Sequence, residues 1–166
     1  LCLDVDGVLT DGSIIIDAAG HESKKFSVRD GLAIKAWMRD GHQVAVITGR
    51  GGPALRHRME ELGVETVIEG VSEKGPVLIE LLEKLGVSAE RTAFMGDDLP
   101  DLPAFKICGY PMAPVDAESI VREHARWVST RRGGDGAVRD AIEHLMRARG
   151  AWDGVVAQHL DMGQLL

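Results

Sequence analysis

Two aspartates lie close together at the beginning of the chain, in the segment Leu-Cys-Leu-Asp4-Val-Asp6-Gly7. The apolar character of residues 1–5 predicts a buried strand that ends at the turn formed by Asp6 and Gly7. Side chains two positions apart in a strand point to the same face, so the carboxylates of Asp4 and Asp6 are expected to converge. Because charge is costly to bury in an apolar strand, this pair favours a functional role over a structural one.

A second pair of carboxylates, Asp97 and Asp98, follows another predicted strand at residues 92–95. Since the carboxyl ends of parallel strands lie on one edge of a sheet, this pair could lie beside Asp4 and Asp6. Clustered carboxylates repel one another, and a hard divalent cation such as Mg²⁺ relieves the repulsion and bridges them to a phosphate. The arrangement therefore predicts a magnesium site and phosphoryl transfer, in which an aspartate can act as the nucleophile.

Two further polar residues are placed to hold a phosphoryl group. Thr48 offers a hydroxyl and neighbouring backbone amides at the end of the predicted strand 44–47, and Lys74 offers a positive charge at the start of a predicted helix. Either residue alone is better explained by a structural role, because helix caps and solvated lysines are common. Together with the carboxylates, they form a set of groups that phosphoryl transfer can use.

The elements that must position these residues alternate along the chain. A hairpin is predicted at residues 13–28, around Ala18-Ala19-Gly20, and is expected to project as a flap. The remaining pattern predicts strands at residues 44–47, 64–68, 92–95 and 107–112, and helices from Asp30 as the cap to Gly41 and at residues 53–62, 73–85, 101–105 and 135–149. Such alternation predicts the α/β class, with an open, doubly wound, Rossmann-like parallel sheet and reactive groups at the carboxyl ends of its strands.

Length and composition restrict the number of domains and the classes of partner. The chain of 166 residues suits one domain, predicted at residues 1–150, with residues 151–166 as an apolar tail that could dock on another surface. A net charge of -7 argues against nucleic acid as a partner. Cys2 and Cys108, the only cysteines, fit neither a disulfide framework nor a zinc site, which favours a reducing, cytoplasmic compartment. No apolar run is long enough to span a membrane, and no signal peptide is recognised.

Four segments in this order resemble the motifs of the haloacid dehalogenase superfamily of phosphohydrolases. They are Asp4-Val5-Asp6-Gly7-Val8-Leu9-Thr10, Thr48-Gly49-Arg50, Lys74 and Gly96-Asp97-Asp98-Leu99-Pro100-Asp101. The resemblance implies that Asp4 attacks phosphorus, while Asp6 protonates the leaving alcohol and later activates the water that hydrolyses the aspartyl phosphate. It also implies that Thr48 and Lys74 hold the transferring phosphoryl group.

The same resemblance implies a magnesium site and the residues that support it. The ligands would be Asp4, the backbone carbonyl of Asp6, and Asp97. Asp98 would contact the metal through water, and Asp101 would orient Lys74 or neighbouring groups.

The spacing of the motifs leaves no room for a separate cap domain, because the intervening residues are used by the hairpin and by single helices. Further segments resemble a capless branch of the superfamily, the 3-deoxy-D-manno-octulosonate 8-phosphate phosphatases of lipopolysaccharide precursor synthesis. They are residues 7–12, 26–31, 47–50, 96–99 and 133–139. The resemblance implies a homotetramer, in which hairpins like residues 13–28 form a central barrel and a neighbour's tail, here residues 151–166, lies over the active site.

The resemblance further implies contacts with a small phosphorylated sugar acid. The substrate-binding residues would be Thr48, Gly49, Arg50, Lys74 and Arg29. Arg50 could reach the carboxylate or hydroxyls of the sugar acid. The sequence Gly51-Gly52-Pro53 departs from the polar or basic residues that the family often has at these positions.

Three other functions stay open on the sequence alone. One is the same reaction on the 9-phosphate of a nine-carbon sialic-type sugar acid, because relatives that use such substrates share these motifs. A second, of another class, is a phospho-accepting receiver domain of signalling proteins, although receivers accept phosphate on a middle strand rather than on the first. A third is a domain that serves only assembly, which the intact motifs disfavour.

Overall fold

A parallel sheet forms the centre of the protein, and its strand order brings distant segments of the chain together. The computed structural model describes residues 1–162. Its strands are β1 (Cys2–Leu3), β2 (Ile15–Ile16), β3 (Glu22–Ser23), β4 (Ala45–Ile47), β5 (Thr66–Ile68), β6 (Ala93–Met95), β7 (Tyr110–Ala113) and β8 (Trp127–Val128). Six of them pair in the order β5-β4-β1-β6-β7-β8, and every neighbouring pair is parallel. The predicted doubly wound sheet is confirmed.

Helices cover both faces of the sheet and enclose two apolar clusters. They are α1 (Val28–Arg39), α2 (Pro53–Leu62), α3 (Lys74–Leu85), α4 (Leu102–Phe105), α5 (Ser119–His124), α6 (Ala137–Ala148) and α7 (Trp152–Met162). Side chains of α1, α2, α6 and α7 pack on one face, around Leu3 and Val46. Those of α3, α4 and α5 pack on the other, around Ile47 and Phe94. Because both faces are buried, the central strands are apolar throughout rather than alternating.

Several helix ends lie where the sequence predicted them. Pro53 occupies the first turn of α2, where its missing amide hydrogen has no helical partner to lose, and Gly63 ends the same helix. The predicted helix 73–85 corresponds to α3, and the predicted helix 135–149 to α6. Within residues 1–162, none of the helices is long and apolar enough to cross a membrane.

Asp30 caps a helix, but not the one that the sequence suggested. Helix α1 begins at Val28, and its N-cap is Ser27, whose hydroxyl accepts a backbone amide at 3.2 Å. Asp30 is buried in the first turn of α1 and accepts the amides of Arg139 at 2.7 Å and Gly136 at 3.3 Å. It therefore caps the N-terminus of α6 from a neighbouring helix, a long-range contact that sequence spacing does not reveal.

The predicted hairpin forms, although only its tip is paired. Strands β2 and β3 are antiparallel, with Ile15 opposite Ser23 and Ile16 opposite Glu22. They form a two-stranded sheet of their own, and Ile14, Ile15 and Ile16 are exposed. A two-stranded hairpin has no core, so these apolar side chains lack a surface to pack on within one chain.

The remaining differences from the sequence-based expectation concern short elements. Helix α5 and strand β8, of 6 and 2 residues, are absent from the prediction because they carry too little periodicity. Strand β1 ends at Leu3, so the expectation that Asp4 and Asp6 lie in a strand is wrong. Asp4 directly follows the strand, and its amide donates to the Met95 carbonyl at 3.0 Å. Asp6 lies in the turn that comes next, where the amides of Val8 and Leu9 donate to the carbonyl of Val5.

The buried carboxyl of Asp30 makes the stability of the fold depend on pH. Burial raises the pKa of Asp30 to about 6, although the two amides that it accepts oppose the rise. A carboxyl with a higher pKa in the folded state than in the unfolded state stabilises the fold fully at low pH. That contribution is lost as the pH rises through about 6.

Asp30→Asn removes this titration while keeping the shape of the side chain and one acceptor oxygen. The free energy of unfolding of the wild type, relative to Asp30→Asn, is therefore expected to fall between about pH 4 and about pH 7, by at most about 3 kcal/mol. Urea unfolding of both proteins across this range, followed by circular dichroism, measures the difference. A difference that stays constant with pH would contradict the assignment.

Candidate active site

The carboxyl ends of three neighbouring strands meet at one side of the sheet. Asp4 follows β1, Thr48 follows β4, and Asp97 comes shortly after β6. Because β1 lies between β4 and β6, these residues surround one cavity, of about 570 Å³. Its lining also includes Asp6, Gly49, Arg50, Lys74, Asp98 and Asp101. Motifs that are far apart in the sequence thus share one site.

Lys74, the first residue of α3, is a buried cation in this site. Its exposed fraction is 3%, and its Nζ lies 2.8 Å from Asp4 Oδ1 and 2.6 Å from Asp101 Oδ1. Burial opposes the charge of the amine, but the two carboxylates outweigh it and raise the pKa of Lys74 above its ordinary value. Lys74 is therefore charged at neutral pH and bridges the two aspartates.

Asp101 holds Lys74 with one oxygen and the turn after β6 with the other. Its Oδ2 accepts the backbone amides of Asp97 at 2.8 Å and Asp98 at 3.3 Å. Asp101 is itself buried, so water competes little for these contacts. Asp98 is exposed, and its Oδ1 accepts the Leu99 amide at 2.7 Å. The two oxygens of Asp101 thus fix the direction of the lysine and the position of Asp97 together.

Three carboxylates crowd together beside Lys74. One oxygen from each of Asp4, Asp97 and Asp101 lies within 4.8 Å of the other two. Burial first, and then the charges of neighbouring carboxylates, raise the pKa of Asp4 to about 6 and that of Asp97 to about 8. Such shifts show a deficit of positive charge, which a divalent cation bound by oxygen atoms would correct. Since both oxygens of Asp101 are engaged, Asp4 and Asp97 are the carboxylates best placed to bind it.

Gly7 makes room for this cluster. Its backbone has a φ of 84°, which L side chains rarely adopt, and a Cβ at this position would overlap the carboxylate of Asp97. The glycine therefore allows both the turn after Asp6 and the close approach of Asp97 to that turn.

Asp6 lines the same cavity and is held through one of its two oxygens. Lys24 Nζ donates to Asp6 Oδ1 at 2.6 Å, and Thr10 Oγ1 donates to the same oxygen at 3.4 Å. In the described part of the chain, Asp6 Oδ2 is shielded from solvent and accepts no hydrogen bond. Asp6 thus has one fixed oxygen and one oxygen without a hydrogen-bond donor.

The loop after β4 is closed by the side-chain hydroxyl of Thr48. Thr48 Oγ1 donates to the carbonyl of Arg50 at 3.1 Å and accepts the Arg50 amide at 3.3 Å. The Arg50 guanidinium lies 3.2 Å from Glu22 Oε2 and 3.7 Å from Asp6 Oδ2. Thr48 therefore shapes the loop that carries Arg50 over the carboxyl of Asp6.

Glu69 accounts for the unusual sequence Gly51-Gly52-Pro53 in this loop. Its carboxylate accepts the Gly52 amide at 3.2 Å and the Arg56 Nε hydrogen at 2.9 Å. A Cβ at Gly51 would lie 2.6 to 2.9 Å from side-chain atoms of Glu69. A polar or basic residue at position 51 would therefore displace the glutamate that fixes the loop.

Comparison with known proteins places this site in a family. The sequence profile of the haloacid dehalogenase-like hydrolases matches residues 23–109. The 3-deoxy-D-manno-octulosonate 8-phosphate phosphatase KdsC of Haemophilus influenzae is 45% identical over 147 residues, which cover 89% of this chain and 82% of that protein. The chain belongs to the haloacid dehalogenase-like hydrolases. KdsC of Escherichia coli K12 is 39% identical to this hydrolase over 160 residues, covering 96% of the chain and 85% of the relative.

Solved structures of haloacid dehalogenase-like hydrolases agree with the fold. The crystal structure of the 3-deoxy-D-manno-octulosonate 8-phosphate phosphatase from Moraxella catarrhalis contains a magnesium ion, a phosphate ion and a KDO molecule. It matches with a TM-score of 0.93 and 37% identity, over 95% of this chain and 91% of that one. As the sequence predicts, residues 1–162 of this hydrolase contain no separate cap domain. The chain between β1 and β6 forms the hairpin, two further strands, three α-helices and one short 3-10 helix.

One predicted site residue of this hydrolase lies away from the others. Arg29 is exposed in the first turn of α1 and lines a different cavity, together with Lys25 and Arg132. Within one chain, the structure does not bring Arg29 to the carboxylate cluster, so its role in substrate binding stays a prediction.

Sequence reasoning missed two residues that this hydrolase places in or beside the cavity, Lys24 and Glu69. Each makes a hydrogen bond to a residue far away in the sequence: Lys24 donates to Asp6, and Glu69 accepts the amide of Gly52. The one sequence signal for Lys24 is its spacing from Glu22, since residues two apart in an extended segment face the same side. Nothing in the local sequence distinguishes Glu69 from a solvated glutamate.

Asp101→Asn tests the arrangement around Lys74. The neutral amide keeps the shape of the side chain but loses the ion pair, so Lys74 has Asp4 as its remaining anionic contact. Turnover of a phosphate ester is expected to fall about 100-fold through misplacement of the lysine, and the free energy of unfolding by up to about 3–5 kcal/mol. Phosphate release and urea unfolding measure the two effects.

Asp98→Asn is the matched control for stability, because Asp98 is exposed and its contact is with a neighbouring amide. Its unfolding free energy is expected to change by less than about 1 kcal/mol. Wild-type turnover in Asp101→Asn would contradict the positioning of Lys74 by Asp101.

Proposed function

We propose that this hydrolase is a Mg²⁺-dependent phosphatase that removes phosphate from 3-deoxy-D-manno-octulosonate 8-phosphate. The observation that carries the proposal is the pairing of Lys74 with Asp4 and Asp101 beside Asp97, in a chain 45% identical to a KdsC phosphatase over most of its length. The related enzyme from Moraxella catarrhalis holds magnesium, phosphate and KDO in its crystal structure. These groups are the cofactor and the two products of the proposed reaction.

In the first half of the reaction, Asp4 is the nucleophile. A carboxylate oxygen of Asp4 forms a bond to phosphorus, while the bond between phosphorus and the leaving oxygen breaks. Asp6 gives a proton to the leaving oxygen, so that the sugar acid departs as an alcohol. Lys74 Nζ lies 2.8 Å from Asp4 Oδ1, where it can stabilise the charge of the transferring group.

In the second half, the aspartyl phosphate is hydrolysed. Asp6, now a carboxylate, takes a proton from a water molecule that attacks phosphorus. The bond between phosphorus and Asp4 breaks, which releases inorganic phosphate and restores the nucleophile. Thr48 and Gly49 line the same cavity and would bind phosphoryl oxygens from the other side.

We assign the metal site to Asp4, the backbone carbonyl of Asp6, and Asp97. Mg²⁺ bound there would supply positive charge to the phosphate oxygens and favour attack by an anionic nucleophile. The raised pKa values of Asp4 and Asp97 support the assignment, because a cation beside them restores the carboxylate forms. Asp98, the next residue and an exposed one, would contact the ion through water.

The sugar acid would extend from the phosphate position toward Arg50. The Arg50 side chain is 49% exposed and pairs with Glu22 of the hairpin. Such a half-exposed pair is weak, so the carboxylate of a sugar acid could replace Glu22 as the partner of Arg50. A nine-carbon sialic-type sugar acid 9-phosphate carries the same groups and is the competing substrate.

Phosphate release from the two sugar-acid phosphates tests the proposal. With Mg²⁺, the purified protein is expected to give a kcat/KM at least about tenfold higher for the octulosonate 8-phosphate than for the nine-carbon 9-phosphate. Asp4→Asn is expected to abolish release with both while preserving the circular dichroism spectrum, because the nucleophile is lost.

Each alternative has its own outcome in this experiment. Equal or reversed preference would remove the octulosonate assignment, and retained turnover in Asp4→Asn would exclude Asp4 as the nucleophile. An acyl phosphate that lasts for minutes without hydrolysis would favour the receiver domain. No release from any ester would favour a domain that serves only assembly.

A homotetramer is part of the proposal, with the tail of residues 151–166 covering the active site of a neighbouring chain. The exposed isoleucines of the hairpin support it, because assembly would bury them. In the tail, Trp152 is buried against α6, and Val156 and Leu160 are exposed. Residues 163–166 lie outside the described residues.

Since Cys2 and Cys108 are free, buried thiols, the cytoplasm is the compartment that we propose.

Deletion of residues 159–166 tests the tail without removing Trp152 from the core. Turnover is expected to fall at least about tenfold, because an uncovered site admits water. The free energy of unfolding is expected to change by less than about 0.5 kcal/mol, and light scattering is expected to give a tetramer for both proteins. Unchanged kinetics would dismiss the tail as a lid, and a monomeric wild type would dismiss the tetramer.

A further inference from the structure

Lys24 is a buried cation in a hairpin that is otherwise largely exposed. The exposed fraction of its side chain is 4%, whereas that of the next residue, Lys25, is 66%. Burying a lysine costs side-chain entropy and hydration, and a lysine can form an ion pair at the surface without being buried. Stability of the hairpin alone therefore does not explain the position of Lys24.

Lys24 belongs to a ring of four alternating charges. Its Nζ lies 2.6 Å from Asp6 Oδ1 and 3.1 Å from Glu22 Oε1. Arg50 lies across the same two carboxylates, 3.2 Å from Glu22 Oε2 and 3.7 Å from Asp6 Oδ2. The contact of Lys24 with Asp6 is a hydrogen bond, whereas that of Arg50 with Asp6 is too long to be one. Lys24 is thus the basic residue that fixes the carboxyl of Asp6.

This contact distinguishes the two oxygens of Asp6. Both donors, Lys24 Nζ and Thr10 Oγ1, bind Oδ1, at 2.6 Å and 3.4 Å. Within residues 1–162, Oδ2 accepts no hydrogen bond and is shielded from bulk solvent. Oδ1 is thus the oxygen through which the carboxyl group is held, and Asp6 lines the cavity that contains Asp4.

We propose that Lys24 is a positioning residue that holds Asp6 through Oδ1 and so orients its carboxyl group for proton exchange with the leaving group and the attacking water. The inference rests on the proposed function, in which Asp6 is the proton donor. Lys24 keeps its own protons. The proton of the Asp6 carboxyl group moves to the leaving oxygen as the bond between that oxygen and phosphorus breaks.

The proposal makes the effect of Lys24 depend on the leaving group. An alkoxide is a strong base and needs the proton of Asp6 as it leaves, whereas 4-nitrophenolate is a weak base and leaves without it. Phenolate is intermediate in basicity and similar in shape to 4-nitrophenolate. A residue that merely stabilises the hairpin would affect all three alike.

The experiment compares Lys24→Met with the wild type on the octulosonate 8-phosphate, phenyl phosphate and 4-nitrophenyl phosphate. The value of kcat/KM is expected to fall about 100-fold on the first, about tenfold on the second and less than about threefold on the third. This parameter is used because it reports the formation of the aspartyl phosphate, the step in which the leaving group is protonated.

Lys25→Met is the matched control, because Lys25 is the adjacent residue and pairs with Asp11 outside this cavity. It is expected to leave kcat/KM unchanged on all three esters. Lys24→Arg keeps the cation and is expected to recover most of the loss. Lys24→Gln, which keeps a hydrogen-bond donor of similar shape, replaces Lys24→Met if circular dichroism shows that the latter is unfolded.

Asp6→Asn separates this inference from the proposed function. A graded loss in Asp6→Asn with an equal loss on all three esters in Lys24→Met would overturn the inference and leave the function intact. If Asp6→Asn lost kcat/KM equally on all three esters, the acid role of Asp6 would be refuted, and the inference with it. The inference would be supported if the loss of kcat/KM depended on the leaving group in both single variants. Adding Lys24→Met to Asp6→Asn should then lower kcat/KM by less than about threefold further. A full additional loss in the double variant would show that Lys24 does not act through Asp6.

Discussion

Lys74 is buried among three carboxylates, and the balance of charge around it governs the rest of the site. Asp4 and Asp101 contact its amine at 2.8 Å and 2.6 Å, which compensates for burying the lysine. With Asp97 beside them, the group is short of positive charge. Burial first raises the pKa values of both Asp4 and Asp97, and Asp101 raises them further. A cluster of this kind is satisfied only when a cation is bound. This deficit of positive charge therefore gives the site its affinity for a metal ion.

The turn that carries Asp6 is held by segments from the far end of the chain. The Gly134 amide donates to the carbonyl of Val8 at 2.9 Å, and Gly133 packs so closely on the carbonyl of Gly7 that no side chain fits there. Asp30 anchors the following helix from α1, so this glycine segment is fixed at both ends. Catalysis by positioning requires precise placement of the carboxyl groups. That placement depends here on packing by segments that are far from the catalytic motifs in the sequence.

Sequence reasoning reached the fold class because hydrophobic periodicity and helix ends are local properties, as in α2 between Pro53 and Gly63. It also brought the four motifs to one sheet edge, because parallel strands share a direction. It could not identify what depends on contacts between distant segments. Asp30 was expected to cap its own helix and caps α6 instead. The spacing of Lys24 from Glu22 is a local signal, but it does not identify Asp6, 18 residues away, as the partner of Lys24. The ends of strands were unreliable because the central strands pair over very few residues.

The hairpin joins the chemistry of the site to the surface that is available for assembly. Lys24 and Arg50 tie the hairpin to the carboxyl of Asp6, and its three consecutive isoleucines are exposed to solvent. A two-stranded hairpin is marginal by itself, so its order in a single chain depends on these ionic contacts. If assembly buries the isoleucines, it stabilises the hairpin and with it the orientation of Asp6. In such an oligomer, order supplied to the hairpin by neighbouring chains would compensate for the lack of a cap domain in residues 1–162, and the proton transfer of one subunit would depend on the integrity of the oligomer.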